Sequence, residues 1–205
     1  MFDKQIQDFL QKPLIIIGKQ LIKFVTPNQI TFFGLSMGII STILIFFEIY
    51  NIALVFLILN RICDGLDGVM ARLTKPTKKG AYLDIVFDFI FYSLFVLAFG
   101  LSNEKYLIFS MILLFCYVGT ATTFLANSLL INVQNKIFQN ETEEQNKLIK
   151  GFKYAYGIVE GTETIIFMIL SLIFPKYFIF ISLIFIALCI FTIFVRIYVC
   201  FKYYD

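Results

Sequence analysis

The sequence predicts an all-α integral membrane protein: six transmembrane helices preceded by an N-terminal amphipathic helix at the interface. Three observations lead there. The 205 residues are 60% hydrophobic and 15% charged, where a soluble domain runs near half apolar and a quarter charged. The apolar residues gather into runs dense in Phe, Ile and Leu, several reaching the ~20 residues a membrane helix needs. The basic residues are sorted by side. Of the 17 Lys and Arg, thirteen (Lys4, Lys12, Lys19, Lys23, Arg72, Lys75, Lys78, Lys79, Lys136, Lys147, Lys150, Lys153 and Lys202) fall on the side of both termini, two (Lys105 and Lys176) fall opposite, and Arg61 and Arg196 lie inside spans. Basic loops stay in the cytoplasm, so the termini and both longer loops are expected there.

The elements follow in order. Residues 1–25 place Phe2, Ile6, Phe9, Leu10, Ile17, Leu21 and Phe24 between lysines, the spacing of a helix lying on a membrane surface and interrupted near Pro13. Thr26-Pro27-Asn28 is a turn and helix start. Spans are expected at about 30–50, 52–73, 81–101, 106–131, 154–174 and 177–200. Most junctions are tight; the basic link 74–79 and the polar stretch 132–153 are longer. No repeat or second domain interrupts 26–205, which reads as one membrane domain. The net charge of +3 is too small to suggest a nucleic-acid partner. The absence of His and of any paired Cys removes most zinc and triad chemistry. Cys63, Cys116, Cys189 and Cys200 sit in apolar runs, as small core residues do.

Function is legible where charge interrupts hydrocarbon. The second span carries Arg61, Asp64, Asp67 and Arg72, and the third carries Asp84 and Asp88. Charges at membrane depth are costly, and their default reading is functional. Asp64 and Asp67 share one helix face and Asp84 and Asp88 another, and the short link makes the two helices antiparallel neighbours. Four carboxylates at one depth repel unless cations join them. All-oxygen ligands point to Mg²⁺ or Mn²⁺, in a two-metal site of the kind used in phosphoryl transfer. Gly65, Gly68 and Ala71 leave a bare helix face for a substrate, Gly80 leaves room beside Asp84, and the Arg72 guanidinium suits phosphate oxygens. Asn28, Thr31, Asn127, Ser128, Glu160, Glu163 and Arg196 fall at the same level, which suggests a cavity open to the cytoplasm. Arg61 lies deeper and reads as structural, with Asp64 or Asp88 as its partner.

In order, these residues are Asp64-Gly-Leu-Asp67-Gly68-Val-Met-Ala71-Arg72, then seven residues, then Gly80, Asp84 and Asp88. The pattern resembles the CDP-alcohol phosphotransferase signature, D-x2-D-G-x2-A-R followed by G-x3-D-x3-D, and all eight fixed positions match within residues 64–88. The spacer is slightly shorter than the family's commonest length. Thr26 to Thr31 also looks like the family's segment before its first span. The resemblance implies a phosphatidyltransferase of phospholipid biosynthesis. It implies Asp64, Asp67 and Asp84 as metal ligands, with Asp88 both a ligand and the general base on the acceptor hydroxyl. It implies Pro27, Asn28, Gln29, Ile30, Gly68, Arg72 and Thr77 around the CDP moiety of a CDP-activated lipid such as CDP-diacylglycerol. Family members are commonly homodimers, so a homodimer in a bacterial inner membrane is expected, its active site facing the cytoplasm.

The acceptor is a small alcohol on the side of Glu160, Glu163 and Arg196. Two carboxylates suit hydroxyls or an ammonium better than a phosphate, which brings serine forward beside glycerol phosphate and inositol phosphate. Two other classes were weighed. A membrane polyprenyl transferase also uses an Asp-rich metal site, but leaves the Gly68, Ala71, Arg72 pattern unexplained. An ion-binding or transport protein wants polar residues through the whole thickness, whereas the outer halves here are nearly all apolar.

Overall fold

The structure, a computed structural model, describes residues 3–137 and 157–203. Among these it is all-helical. The helices are α1 (Asp3–Leu21), α2 (Pro27–Phe46), α3 (Tyr50–Leu73), α4 (Lys78–Ser102), α5 (Glu104–Ile137), α6 (Gly161–Ile173) and α7 (Phe178–Tyr203), with a 3₁₀ turn at Pro175–Tyr177 before α7. Local chemistry sets the ends. Thr26 and Gln29 form a reciprocal capping box at the start of α2, with Pro27 in its first turn. Thr77 caps α4 by accepting the Gly80 N–H at 3.0 Å. The turn from α2 to α3 passes through Glu48 at φ 59°, a left-handed backbone uncommon outside glycine.

Four stretches are long and apolar enough to cross a membrane: Pro27–Phe46, Lys78–Ser102, Glu104–Leu129 and Pro175–Lys202. The other two expected spans differ for separate reasons. α3 has the length, 24 residues, but its charges break the apolar run. α6 has 13 residues, about 20 Å at 1.5 Å per residue, short of the ~30 Å hydrocarbon core. Its start was expected near residue 154, but residues 157–160 are not helical. Gly157 lies so close to Thr192 of α7 that a Cβ there would overlap it, and the Val159 N–H is taken by the Thr192 hydroxyl at 3.0 Å. α5 continues as helix into the stretch expected to be a loop, as far as Ile137. The rest of that stretch, with Lys147, Lys150 and Lys153, lies outside the described residues.

α1 runs through Pro13 instead of breaking there; the missing N–H removes one intrahelical bond. Its Leu14 and Gly18 sit against Gly65, Val69 and Met70 of α3. Gly65 is therefore a seat for Leu14, not a bare face for substrate.

The short link does not make α3 and α4 close neighbours. Both pack along α2, and their backbones approach each other only sparsely. Glycines on α2 make this possible. A Cβ on Gly34 would lie 2.9 Å from Cys63 Cβ on α3, and one on Gly38 would lie 2.7 Å from the Phe91 ring on α4. The remaining helix neighbours are α4 with α5, α5 with α7, α3 with α6, and α6 with α7.

The two halves of the bundle differ in kind. Away from the termini an aromatic core closes it. Phe99 stacks on Phe178 with ring centroids 4.2 Å apart, and Phe167 stacks on Phe185 at 4.3 Å. Toward the termini the helices part around cavities that hold the charged residues.

Phe91 is 1% exposed and has no room to swing away. Gly38→Ala should therefore destabilise the bundle by about 1–3 kcal/mol through overpacking. Gly161→Ala, whose Cβ meets no atom within 4 Å, is the control and should be near neutral. Melting temperatures of the two purified variants in detergent check the difference.

Candidate active site

The carboxylates stand in the cleft that α2 holds open between α3 and α4. Asp64 and Asp67 come from the last turns of α3, and Asp84 and Asp88 from the first turns of α4. All four line one small space of about 10 Å³ together with Thr31, Asn60 and Arg61, about the room a single water or small ion occupies. Asp67 is 5% exposed, and its Oδ2 is buried with no hydrogen-bond partner. Thr31 stands beside it, its hydroxyl donating to the Pro27 carbonyl at 3.1 Å. Among the described residues, no three acidic side chains converge tightly enough to enclose an ion. Asp64 and Asp88 turn instead toward Arg61.

Arg61 holds the site together. Its Nη2 donates to Asp88 Oδ1 at 2.8 Å, its Nη1 lies 3.6 Å from Asp64 Oδ2, and its Nε donates to Asn60 Oδ1 at 2.7 Å. Asn60 in turn donates to the Gly34 carbonyl on α2 at 2.8 Å. Both partners expected for Arg61 are thus present, and the second arm reaches Asp88 across the cleft. The sequence reading passed over Asn60 and Tyr92. The Tyr92 hydroxyl donates to Asp88 Oδ2 at 3.1 Å and receives Arg61 Nη1 at 3.3 Å. A signal was there: Tyr92 continues the four-residue spacing of Asp84 and Asp88 on one face of α4.

Two larger cavities open from the cluster, and Asp84 lines both. The first, about 400 Å³, is walled by the start of α2, the end of α3, the link and the start of α4. Of the residues expected around a CDP group, Pro27, Asn28, Gly68, Arg72 and Thr77 line it. A Cβ on Gly68 would meet the Arg72 guanidinium at 3.5 Å, and one on Gly80 would meet Asn28 Oδ1 at 3.3 Å. Gln29 and Ile30 are not in its wall; the Gln29 side chain turns back to accept the Thr26 N–H at 2.8 Å. Lys75, in the basic link, lines the cavity and had not been singled out.

The second cavity, about 390 Å³, lies between α4, α5, α6 and α7 and includes Asp84, Asp88, Tyr92, Asn127, Glu160 and Arg196 in its lining. Arg196 is 6% exposed. Its Nη1 donates to the Thr120 carbonyl at 2.8 Å, and its guanidinium lies over the Phe124 ring, so it also ties α7 to α5. Glu163 is not in this lining. Glu160 and Glu163 do not share a helix face inside a span: Glu160 is the N-cap of α6, and Glu163 accepts the Glu160 N–H at 3.0 Å. The spacing that suggested paired acceptor ligands is that of a capping box. Lys153 lies outside the described residues.

Comparison with known proteins agrees with the motif. The CDP-alcohol phosphatidyltransferase family model matches residues 24–195. The inner membrane protein YnjF of Escherichia coli is 36% identical over 175 residues, 85% of this chain and 82% of its own length. An archaetidylinositol phosphate synthase of Pyrococcus horikoshii is 33% identical over 86 residues, 41% of this chain and 46% of its own. A bifunctional IPC transferase and DIPP synthase of Aquifex aeolicus is 37% identical over 73 residues, 35% of this chain and 17% of its own.

A capping Glu163 makes a distinct prediction. Glu163→Ala should cost about 1 kcal/mol of stability, as lost helix caps do, and leave the acceptor KM of the folded protein unchanged. Glu163→Gln, which can still cap, should recover most of that stability. Melting temperature and acceptor KM, measured on both variants, check it.

Proposed function

This chain belongs to the CDP-alcohol phosphatidyltransferase family, and we propose that it moves a phosphatidyl group from a CDP-activated lipid such as CDP-diacylglycerol to the hydroxyl of a small alcohol, releasing CMP. One observation carries this reading: two cavities of similar size meet at a carboxylate cluster, and Asp84 lines both. A transfer between two bound substrates needs that arrangement, with the reacting centres brought together where the cavities join.

The CDP group belongs in the first cavity, its pyrophosphate toward Arg72 and Lys75, whose charges suit phosphate oxygens. Close backbone approach is open at Gly68. The acceptor belongs in the second cavity, its hydroxyl toward Asp88. Asp88 takes the hydroxyl proton, the acceptor oxygen bonds to the β-phosphorus, and the bond from that phosphorus to the CMP oxygen breaks. Arg61 and Tyr92 hold the Asp88 carboxylate for the proton transfer. The chemistry of the donor set suits Mg²⁺ or Mn²⁺: four carboxylates without His or Cys, and a buried Asp67 oxygen lacking a partner. Asp64, Asp67, Asp84 and Asp88 would draw closer than they stand to hold two such ions, which would neutralise charge developing on the transferred phosphate.

Glu160 and Arg196 in one cavity suit an acceptor carrying both charges, as serine does. The name of the Pyrococcus relative, an archaetidylinositol phosphate synthase, favours a second reading, inositol phosphate, with Arg196 toward its phosphate. The basic residues around the first cavity support an active site on the cytoplasmic side, in an inner membrane as the name of the Escherichia coli relative suggests. α1 lies along that surface, and the working unit is a homodimer.

Purified protein given CDP-diacylglycerol, Mg²⁺ or Mn²⁺ and a panel of serine, glycerol phosphate and inositol phosphate should release CMP with one of them. Activity should vanish in EDTA and in Asp64→Ala, and Asp88→Asn should lose transfer by 10²-fold or more, roughly the worth of a general base. CMP release that persists in a metal-free sample would sink the metal role. A cysteine at Lys79, exposed and outside the first cavity, should react with a membrane-impermeant thiol reagent only after the membrane is opened. Labelling in intact cells reverses the orientation.

A further inference from the structure

We propose that Tyr92 is a positioning residue for the transfer: together with Arg61 it fixes the plane of the Asp88 carboxylate at the wall of the acceptor cavity. The inference rests on the reading of Asp88 as the base, and adds how that base is aimed.

An aspartate on a helix facing a 390 Å³ cavity is free to turn about its two side-chain torsions unless both oxygens are held. Here each oxygen has its own donor from a different helix. Arg61 on α3 donates to Oδ1 at 2.8 Å, and Tyr92, one turn along α4, donates to Oδ2 at 3.1 Å. The two donors are joined, since Arg61 Nη1 donates to the Tyr92 oxygen at 3.3 Å. That bond leaves the single hydroxyl proton of Tyr92 directed at Asp88. The carboxylate, the guanidinium and the phenol therefore close a ring of hydrogen bonds, and turning Asp88 breaks two of them together.

The donors are themselves immobile. The Tyr92 ring is 8% exposed and packs edge-on against Phe89 at 6.3 Å and tilted against Phe91 at 6.2 Å and Tyr117 at 6.3 Å. The Arg61 guanidinium lies 5.4 Å from the Phe91 ring centre and 5.6 Å from that of Tyr92, and Asn60 holds its Nε at 2.7 Å. Each carboxylate oxygen keeps a further lone pair for an incoming hydroxyl. The cost of such rigidity is met before substrate binds, which is how a positioned base raises turnover without raising affinity.

Tyr92→Phe removes one oxygen and keeps the ring packing, so it tests position apart from fold. With kcat expressed per folded molecule, kcat should fall about 10- to 100-fold, the usual effect of losing an orienting partner, while KM for CDP-diacylglycerol stays within two-fold. Melting temperature should hold within a few degrees. A kcat within two-fold of the parent overturns the proposal, whatever the melting temperature does. So does a parallel rise in KM for the CDP-lipid, which would mark general damage to the site. The parent protein is the separate check on the reading beneath: if it releases no CMP with any alcohol, the reaction class fails, whereas an active parent with an equally active Tyr92→Phe variant fails this inference alone.

Discussion

A buried guanidinium is the constraint around which the rest is arranged. The Arg61 side chain is 13% exposed and stands in a bundle that spans hydrocarbon, where an unpaired charge costs at least a few kcal/mol. It is tolerable because its donors find Asn60, Tyr92, Asp64 and Asp88. Those partners come from both walls of the cleft, so the distance between α3 and α4 is set by the reach of one arginine. Removing a partner from such a pair typically costs about 3–5 kcal/mol, because the other charge stays buried. Fold and chemistry thereby share a residue. The group that pairs with two of the four carboxylates, Asp64 and Asp88, also holds the one proposed as the base.

The glycines of α2 do the complementary work. Gly34 and Gly38 let α2 press against α3 and α4 at distances a side chain would forbid. The closeness is transmitted through Asn60, which ties the Gly34 carbonyl to Arg61. α3 and α4 are then held to a common partner, with Arg61 bridging the gap between them, and that gap is the candidate site. Had α3 and α4 packed directly, as their short link suggests, the carboxylates would have been forced together with no room for a substrate. Aromatic stacking at the far end supplies the rigidity that the open end gives up.

Two cavities on either side of one acidic cluster explain the uneven placement of polar residues along the helices. The first is built from segments next to one another in sequence, from Thr26 to Asp84. The second gathers α4, α5, α6 and α7, whose lining residues are far apart in sequence and whose positions depend on how α6 meets α7. Gly157 and Thr192 decide that meeting. The close approach of their backbone and side chain stops α6 short and leaves Glu160 at the mouth of the cavity instead of inside a span.

The motif residues were legible from spacing alone because a helix maps spacing onto geometry. Residues three or four apart share a face, and charges in an apolar run are too costly to be accidental. The first cavity followed for the same reason, being built from neighbouring segments. Glu163 misled because a three-residue spacing of acids is equally the mark of a cofacial pair and of a cap, and only the backbone of Glu160 tells them apart. Tyr92 continues the spacing of Asp84 and Asp88, but a phenol stands out from a membrane helix far less than a charge does, and Asn60 lies deeper than the polar layer that drew notice. Membrane character and the acidic cluster were thus determined by the sequence itself, through composition and helical period. Which carboxylate Arg61 grips across the cleft, which helix keeps α3 and α4 apart, and which residues wall the two cavities were decided only by the tertiary structure. Those depend on contacts between helices, and no period along a single helix encodes a distance to another.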